Sequence, residues 1–203
     1  MSTSMTYQPK ADEIKALRDA TSAPMMECRK VLVEAAGDQE KAKALLLERG
    51  AAQAEKKAER VANEGVVASY IHAGGKIGVL VEVNSETDFV ARNPKFSELA
   101  RDIAMHVAAM SPEYVSRDDV PEETVARVRE ELRATVPAGK SPEVAEKIVE
   151  GKLAKWFEEH CLLDQPVGKD DALSVSELIN AAVGSLGEKI RVRRFSKFAL
   201  GES

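Results

Sequence analysis

Cysteine and aromatic residues are scarce in this chain of 203 residues, which carries two Cys, one Trp, three Tyr and five Phe. Cys28 and Cys161 are far apart and belong to no CxxC or Cys/His cluster, so neither a disulfide framework nor a zinc site is spelled out. Both are expected to be structural thiols in a reducing compartment. No apolar run approaches the ~20 residues that span a bilayer, and the opening MSTSMTYQPKAD lacks the basic and apolar regions of a secretory signal. A cytoplasmic chain without membrane contact is the expectation. Basic charge is not in surplus: 29 Lys plus Arg stand against 34 Asp plus Glu, a net charge of −5. Nucleic acid is therefore not an expected direct ligand, since phosphate binding draws on excess Lys and Arg.

The inventory for bond-making chemistry is equally thin. The three histidines, His72, His106 and His160, sit at no metal-ligand spacing. His106 falls beside the apolar face of a helical pattern, where a local hydrogen bond is the expected role. The AGGK stretch lacks the GxxxxGK[ST] spacing of a phosphate loop and reads as a hairpin turn. Asp170 and Asp171 fit a solvated loop better than a metal site. No catalytic residue, metal or cofactor of the chain's own is expected.

What is present is a run of amphipathic helices around a short β segment. Ile14 and Leu17 share one helical face behind Asp12, and the pattern stops at Thr21 and Ser22. Pro24 opens a second pattern carrying Met25, Cys28, Val31, Leu32 and Ala35 up to Gly37. Asp38 caps a third, with Ala42, Leu45 and Leu46, ended by Gly50. Residues 51–65 are helix-forming, mixed in charge and poor in large apolar side chains, the signature of a solvated linker. At Val66 the composition turns β-branched, and VVASYIH and IGVLVEVN flank the turn Ala73 to Lys76 as a hairpin.

A long amphipathic helix follows Asn93 and Pro94, with Phe96, Leu99, Ala100, Ile103, Val107 and Met110 on one face. Pro121 and Ser141 each open a further helix, and the breaker-rich PAGKSP between them predicts an antiparallel helical hairpin. Ser174 and Glu177 form a capping box before another helix, stopped by Gly187. The closing IRVRRFSKFAL reads as a strand whose alternation slips at Arg193 and Arg194 and resumes at Phe198 and Leu200, as at a β-bulge. The fold class is α+β, with a three-stranded antiparallel sheet covered by helices.

One polar loop stands out: Thr87, Asp88, Phe89, Val90, where a strand hands over to a helix. Folded inward, Phe89 plugs the gap between sheet and helix. Folded outward, it is an interface anchor. Composition leaves both readings open, and the same holds for Met25 as bundle core or adaptable contact.

Four motifs, in order, carry a resemblance to the elongation factor Ts family. Leu17-Arg18-Asp19-Ala20-Thr21-Ser22-Ala23-Pro24-Met25-Met26-Glu27-Cys28-Arg29-Lys30 is similar to the family's LRxxTGAGMMDCKKAL; Ser22 and Pro24 replace two glycines, and Arg29 stands where lysine is common. Thr87 to Asn93 is close to TDFVAKN, and EKIVEGKLAKWFEEHCLLDQPVGKDD and RVRRFSKFALGE resemble the family's helical hairpin and closing strand. A disordered tail is expected over 1–10 and the linker over 51–65, and the resemblance implies a ubiquitin-associated-like three-helix domain over 11–50 between them. It further implies a core over 66–120, a coiled-coil protrusion over 121–163, and a return to the core over 164–203. It implies a guanine-nucleotide exchange factor that binds elongation factor Tu and acts on the magnesium and GDP that partner holds.

By the same resemblance, Thr87, Asp88, Phe89 and Val90 would disturb the magnesium site and His72 would press on the partner near its phosphate loop. Leu17, Arg18, Met25, Met26 and Arg29 would hold the partner's G domain. The long members repeat the core strand-helix unit, whereas this chain carries one copy. A lone three-stranded sheet leaves apolar surface uncovered, so a homodimer is expected. A helical adaptor is the alternative, but it has no need of an acid-aromatic pair on a rigid core. An RNA-binding reading has only Arg191, Arg193, Arg194 and Lys197, which on a strand form a solvated face.

Overall fold

The computed structural model describes residues 7–167 and 173–202. Asp170 and Asp171 lie outside the described residues. The elements run α1 (Ala11–Thr21), α2 (Met25–Glu34), α3 (Gln39–Lys56), β1 (Glu64–Ile71), β2 (Ile77–Ser85), α4 (Asp88–Ala91) and α5 (Pro94–Met110). Then come α6 (Glu122–Ala134), α7 (Pro142–His160), β3 (Pro166–Val167), β4 (Leu173–Ser174), α8 (Val175–Leu186) and β5 (Arg191–Ala199). The mixture of helix and sheet agrees with an α+β class. The sheet has the order β1-β2-β5, so β2 is its central strand. His72 N–H donates to Ile77 O across the first hairpin, and Leu200 N–H donates to Lys76 O while Arg194 reaches Glu82. Pairing the end of β5 with the start of β2 makes the sheet antiparallel throughout.

Contacts divide the chain into two compact units. The first comprises Met1–Val66, Val83–Leu99 and Glu177–Arg191; the second comprises Val67–Glu82, Ala100–Ser176 and Val192–Ser203. In the first, α1, α2 and α3 enclose a core of Leu17, Cys28, Val31, Leu32, Ala35 and Ala42, with Ile14, Ala23, Leu45 and Leu46 packed against it. Asp38 caps α3 by accepting from Lys41 N–H at 3.0 Å. Asp12, expected as the cap of α1, lies inside that helix; Glu13 instead reaches back to Lys10 N–H at 2.7 Å. Tyr7, in the stretch expected as a tail, donates to Glu13 at 2.7 Å.

Gly50, expected to end the third helix, lies buried in the middle of α3. A Cβ there would stand 2.8 Å from Asn180 O, so the missing side chain lets α3 approach α8 closely rather than stopping the helix. Beyond Lys56 the expected solvated linker is tied down. Lys57 Nζ donates to Gly187 O at 2.9 Å, Lys189 Nζ donates to the carbonyls of Ala58 and Arg60, and Ala62 is buried.

In the second unit, α6 and α7 form the antiparallel hairpin. Arg129 pairs with Glu146 (2.9 Å) and with Glu150, and Arg133 pairs with Glu146 (3.1 Å), so rising numbers on one helix meet falling numbers on the other. At the base of the hairpin, Trp156 stacks on His160 and Arg117 lies over the Phe157 ring while its Nε reaches Asp164 at 2.8 Å. Cys161 is buried close by, and burial pushes its thiol up to about 11. The His106 ring is 3.0 Å from Gln165, so its hydrogen bond reaches a residue 59 positions away rather than the local partner expected. The two-residue ribbon of β3 and β4, paired Pro166 with Ser174 and Val167 with Leu173, has no counterpart in the sequence reading.

The expected slip in β5 is visible, with the opposite outcome for its apolar residues. Arg193 and Arg194 are both exposed and both bind Glu82, at 3.0 and 2.7 Å; beyond them the alternation changes phase. Phe198 and Leu200 therefore face outward, 70% and 79% exposed.

At Gly65 on β1, φ is +142° and a Cβ would lie 2.1 Å from Val83 O. Gly65→Ala is expected to lower the unfolding free energy by about 2–4 kcal/mol, since both the backbone conformation and the contact oppose a side chain. Urea unfolding followed by circular dichroism measures it.

Candidate functional site

The Thr87 to Val90 segment is a single helical turn set directly after the central strand. β2 ends in three buried residues, Val83, Asn84 and Ser85, and the Ser85 hydroxyl donates to Thr87 O at 3.0 Å. Thr87 is the N-cap of α4, its Oγ1 accepting from Val90 N–H at 3.4 Å. Val90 and Ala91 are buried, which fixes the far side of the turn. Asn93 then accepts from Lys95 N–H at 3.0 Å and starts α5.

This geometry turns the aromatic ring away from the core. Phe89 is 81% exposed, the highest value among the large hydrophobic side chains of the described residues. Asp88 beside it is exposed and pairs with Arg92 at 3.0 Å, one turn along. Such a solvated pair contributes little to stability and leaves the carboxylate able to change partner.

The turn is anchored by residues remote in sequence. Glu188 Oε2 accepts from the backbone N–H groups of Glu86 and Thr87, at 3.1 and 3.0 Å, and Oε1 accepts from the Thr87 hydroxyl at 2.6 Å. Glu86 in return accepts from Lys189 N–H at 2.6 Å and from the Arg60 guanidinium at 3.3 Å. The Lys189 amide, and after it Arg60, hold the Glu86 carboxyl below the usual glutamate range. Sequence reasoning missed Glu188, because nothing in the GEK connection marks a carboxylate as belonging to a turn about a hundred positions earlier.

The other site residues fall into two groups. On the N-terminal bundle, Arg18, Met25, Met26 and Arg29 are exposed, Met25 and Met26 by half or more, and Arg18 reaches Met25 Sδ at 3.7 Å. Leu17, by contrast, is fully buried in the bundle core, so it can only support that surface from behind. The bundle's α1–α2 corner is joined to the rest of its unit at Ser22 O, which accepts from Lys95 Nζ (3.2 Å) and Ser185 Oγ (2.9 Å). His72 belongs to the second unit, exposed at the hairpin end, with the Tyr70 hydroxyl 3.1 Å from its Nδ1. Among the described residues, no group of three or more His, Cys, Asp or Glu side chains is placed to hold a metal ion. None of the described helices is long and apolar enough to cross a membrane.

A family model described as Elongation factor TS matches residues 15–202. The chain belongs to the elongation factor Ts family. It is 53% identical over 193 residues to the elongation factor Ts of Moorella thermoacetica, covering 95% of each chain. It is 53% identical to that of Koribacter versatilis, over 95% of this chain and 88% of the relative. The identity is again 53% with the Thermosipho melanesiensis factor, over 93% and 97%. Membership gives the chain a role in translation elongation, and both the N-terminal helices and the Thr87 to Val90 turn lie inside the matched region.

Because Phe89 contributes little to the core, Phe89→Ala is expected to change the unfolding free energy by less than about 0.5 kcal/mol. Thermal denaturation checks this, and a loss of several kcal/mol would mark the ring as core.

Proposed function

We propose that this elongation factor is the guanine-nucleotide exchange factor for elongation factor Tu, promoting GDP release and replacement by GTP. The observation that carries the reading is the exposed Phe89 on an anchored turn beside a weakly engaged Asp88. A protein that binds the nucleotide-free form of its partner more tightly weakens the nucleotide by the same factor, because coupling between the two sites is reciprocal. No covalent bond is made or broken. Phe89 wedges between side chains near the partner's magnesium site, and Asp88 perturbs the water network of that ion. The magnesium offsets the charge of the diphosphate, so disturbing it loosens GDP.

Arg18, Met25, Met26 and Arg29 hold the partner's G domain through a soft, adaptable surface. His72 presses on the partner near its phosphate loop. The chain needs no metal or cofactor of its own, and it works in the cytoplasm without direct contact with nucleic acid or membrane.

Release of a fluorescent GDP analogue from elongation factor Tu, chased with unlabelled GDP, tests the reading. The wild-type chain is expected to accelerate release, and Phe89→Ala to lose about tenfold or more of that acceleration, the scale set by truncating a buried interface anchor. Failure of the folded wild-type chain to accelerate release from a source-matched partner would sink it.

The protein acts as a homodimer in this reading. Ile71, Leu80, Phe198 and Leu200, each about half or more exposed, surround a depression of about 600 Å³ on the sheet. A second copy of that face would remove this apolar surface from water. Light scattering at micromolar concentration is expected to give twice the 22.1 kDa chain mass; the monomer mass would overturn the dimer.

A further inference from the structure

A one-turn helix cannot hold its own shape in water, because the first turn fixes several residues in return for a single hydrogen bond. The turn that displays Phe89 is tied to the α8–β5 connection by Glu188. It lies in the connection between α8 and β5, 101 positions from Thr87, and both of its carboxylate oxygens are committed to the turn. Oε2 gathers two consecutive backbone N–H groups. Oε1 accepts a hydrogen bond from the Thr87 hydroxyl, which leaves a lone pair of the Thr87 oxygen for Val90 N–H. Glu188 thereby orients the cap, the cap sets the turn, and the turn aims Phe89.

The anchoring runs in both directions. The Glu86 carboxylate accepts from Lys189 N–H, next in sequence to Glu188, and from Arg60, while Lys189 Nζ donates to the carbonyls of Ala58 and Arg60. Three stretches of the chain therefore close around the base of the turn. Phe89 itself is 81% exposed, so packing of the ring contributes little to holding the turn.

We propose that Glu188 is a positioning residue for nucleotide exchange: its carboxylate pre-organises the turn that starts at Thr87, so that Phe89 and Asp88 meet the partner already oriented. The inference rests on the exchange-factor reading above. Glu188 acts through Thr87 and the turn and makes no contact with the reacting nucleotide. Its removal leaves the turn to be ordered during the encounter, a cost that falls on the exchange step.

The test is a double-mutant cycle on the stimulated release of a fluorescent GDP analogue, using the full chain with elongation factor Tu. The variants are Glu188→Ala, Glu188→Gln, Phe89→Ala and the pairs of each Glu188 variant with Phe89→Ala. Glu188→Ala is expected to slow stimulated release about five- to tenfold, the range of a misplaced contact group. In the Phe89→Ala background the same change is expected to cost less than about twofold, because the group it positions is gone. Glu188→Gln keeps one acceptor oxygen and is expected to recover most of the rate.

If Glu188→Ala unfolds the chain, Glu188→Gln with and without Phe89 reads the same coupling. A small loss with the ring and none without it supports the proposal, and equal rates in both overturn it. A Glu188→Ala loss that persists in full on the Phe89→Ala background would show general damage and overturn positioning. Full activity of Glu188→Ala beside an impaired Phe89→Ala would overturn the proposal and leave the exchange reading standing. An unimpaired Phe89→Ala variant would overturn the wedge itself, and the positioning role with it.

Discussion

Burial along the central strand is the constraint from which the rest follows. Val79, Val81 and Val83 are at most 1% exposed, and each such side chain contributes on the order of 1.5–3 kcal/mol when fully removed from water. Alternation then sends Gly78, Leu80 and Glu82 to the opposite face. The strand stays buried through Ser85, so the residue after Glu86 emerges at the surface in a defined place and direction. A turn placed there is tied directly to the end of a buried strand.

Hydrogen bonds to charged carboxylates extend that tie into the turn. Glu86 and Glu188 each accept backbone N–H groups from the segment that carries the other, so neither segment moves alone. Such charge-assisted bonds are stronger than neutral ones, and here they use backbone donors that lie outside the regular helices and strands. The consequence is a side chain as large as Phe89 held in the open, where the hydrophobic effect alone would turn it inward.

Exposed apolar side chains form groups at two places and stand singly elsewhere. Among the described residues they include, besides Phe89, Met25 and Met26 at the start of α2 and the outer face of the sheet with Ile71, Leu80, Phe198 and Leu200, while Val61, Val67, Met105, Met110 and Val144 are exposed as well. Scattered apolar side chains are ordinary, but groups of them on rigid elements mark contact surfaces. Of the basic residues of β5, Arg193 and Arg194 bind Glu82 and Lys197 donates to Ser111 Oγ.

The sequence by itself determined the helices, the hairpin and the place where strand gives way to helix, because those depend on short-range periodicity and on Pro, Gly, Ser and Asp at boundaries. Pro142 behind Ser141, Asp38 before α3 and Asn93 before α5 all sit where their local chemistry puts them. It also made the acid-aromatic turn conspicuous, though not the direction of its ring. Gly50 shows the limit of local reading: as a helix breaker it predicts an end, but α8 packs so closely that only glycine fits mid-helix. Phe198 and Leu200 show another, since a change of phase at Arg193 and Arg194 reverses which side of the strand is buried. The outward direction of Phe89 and the grip of Glu188 on its turn belong to the tertiary structure alone, because they depend on contacts between residues about a hundred positions apart, over which sequence periodicity carries no information.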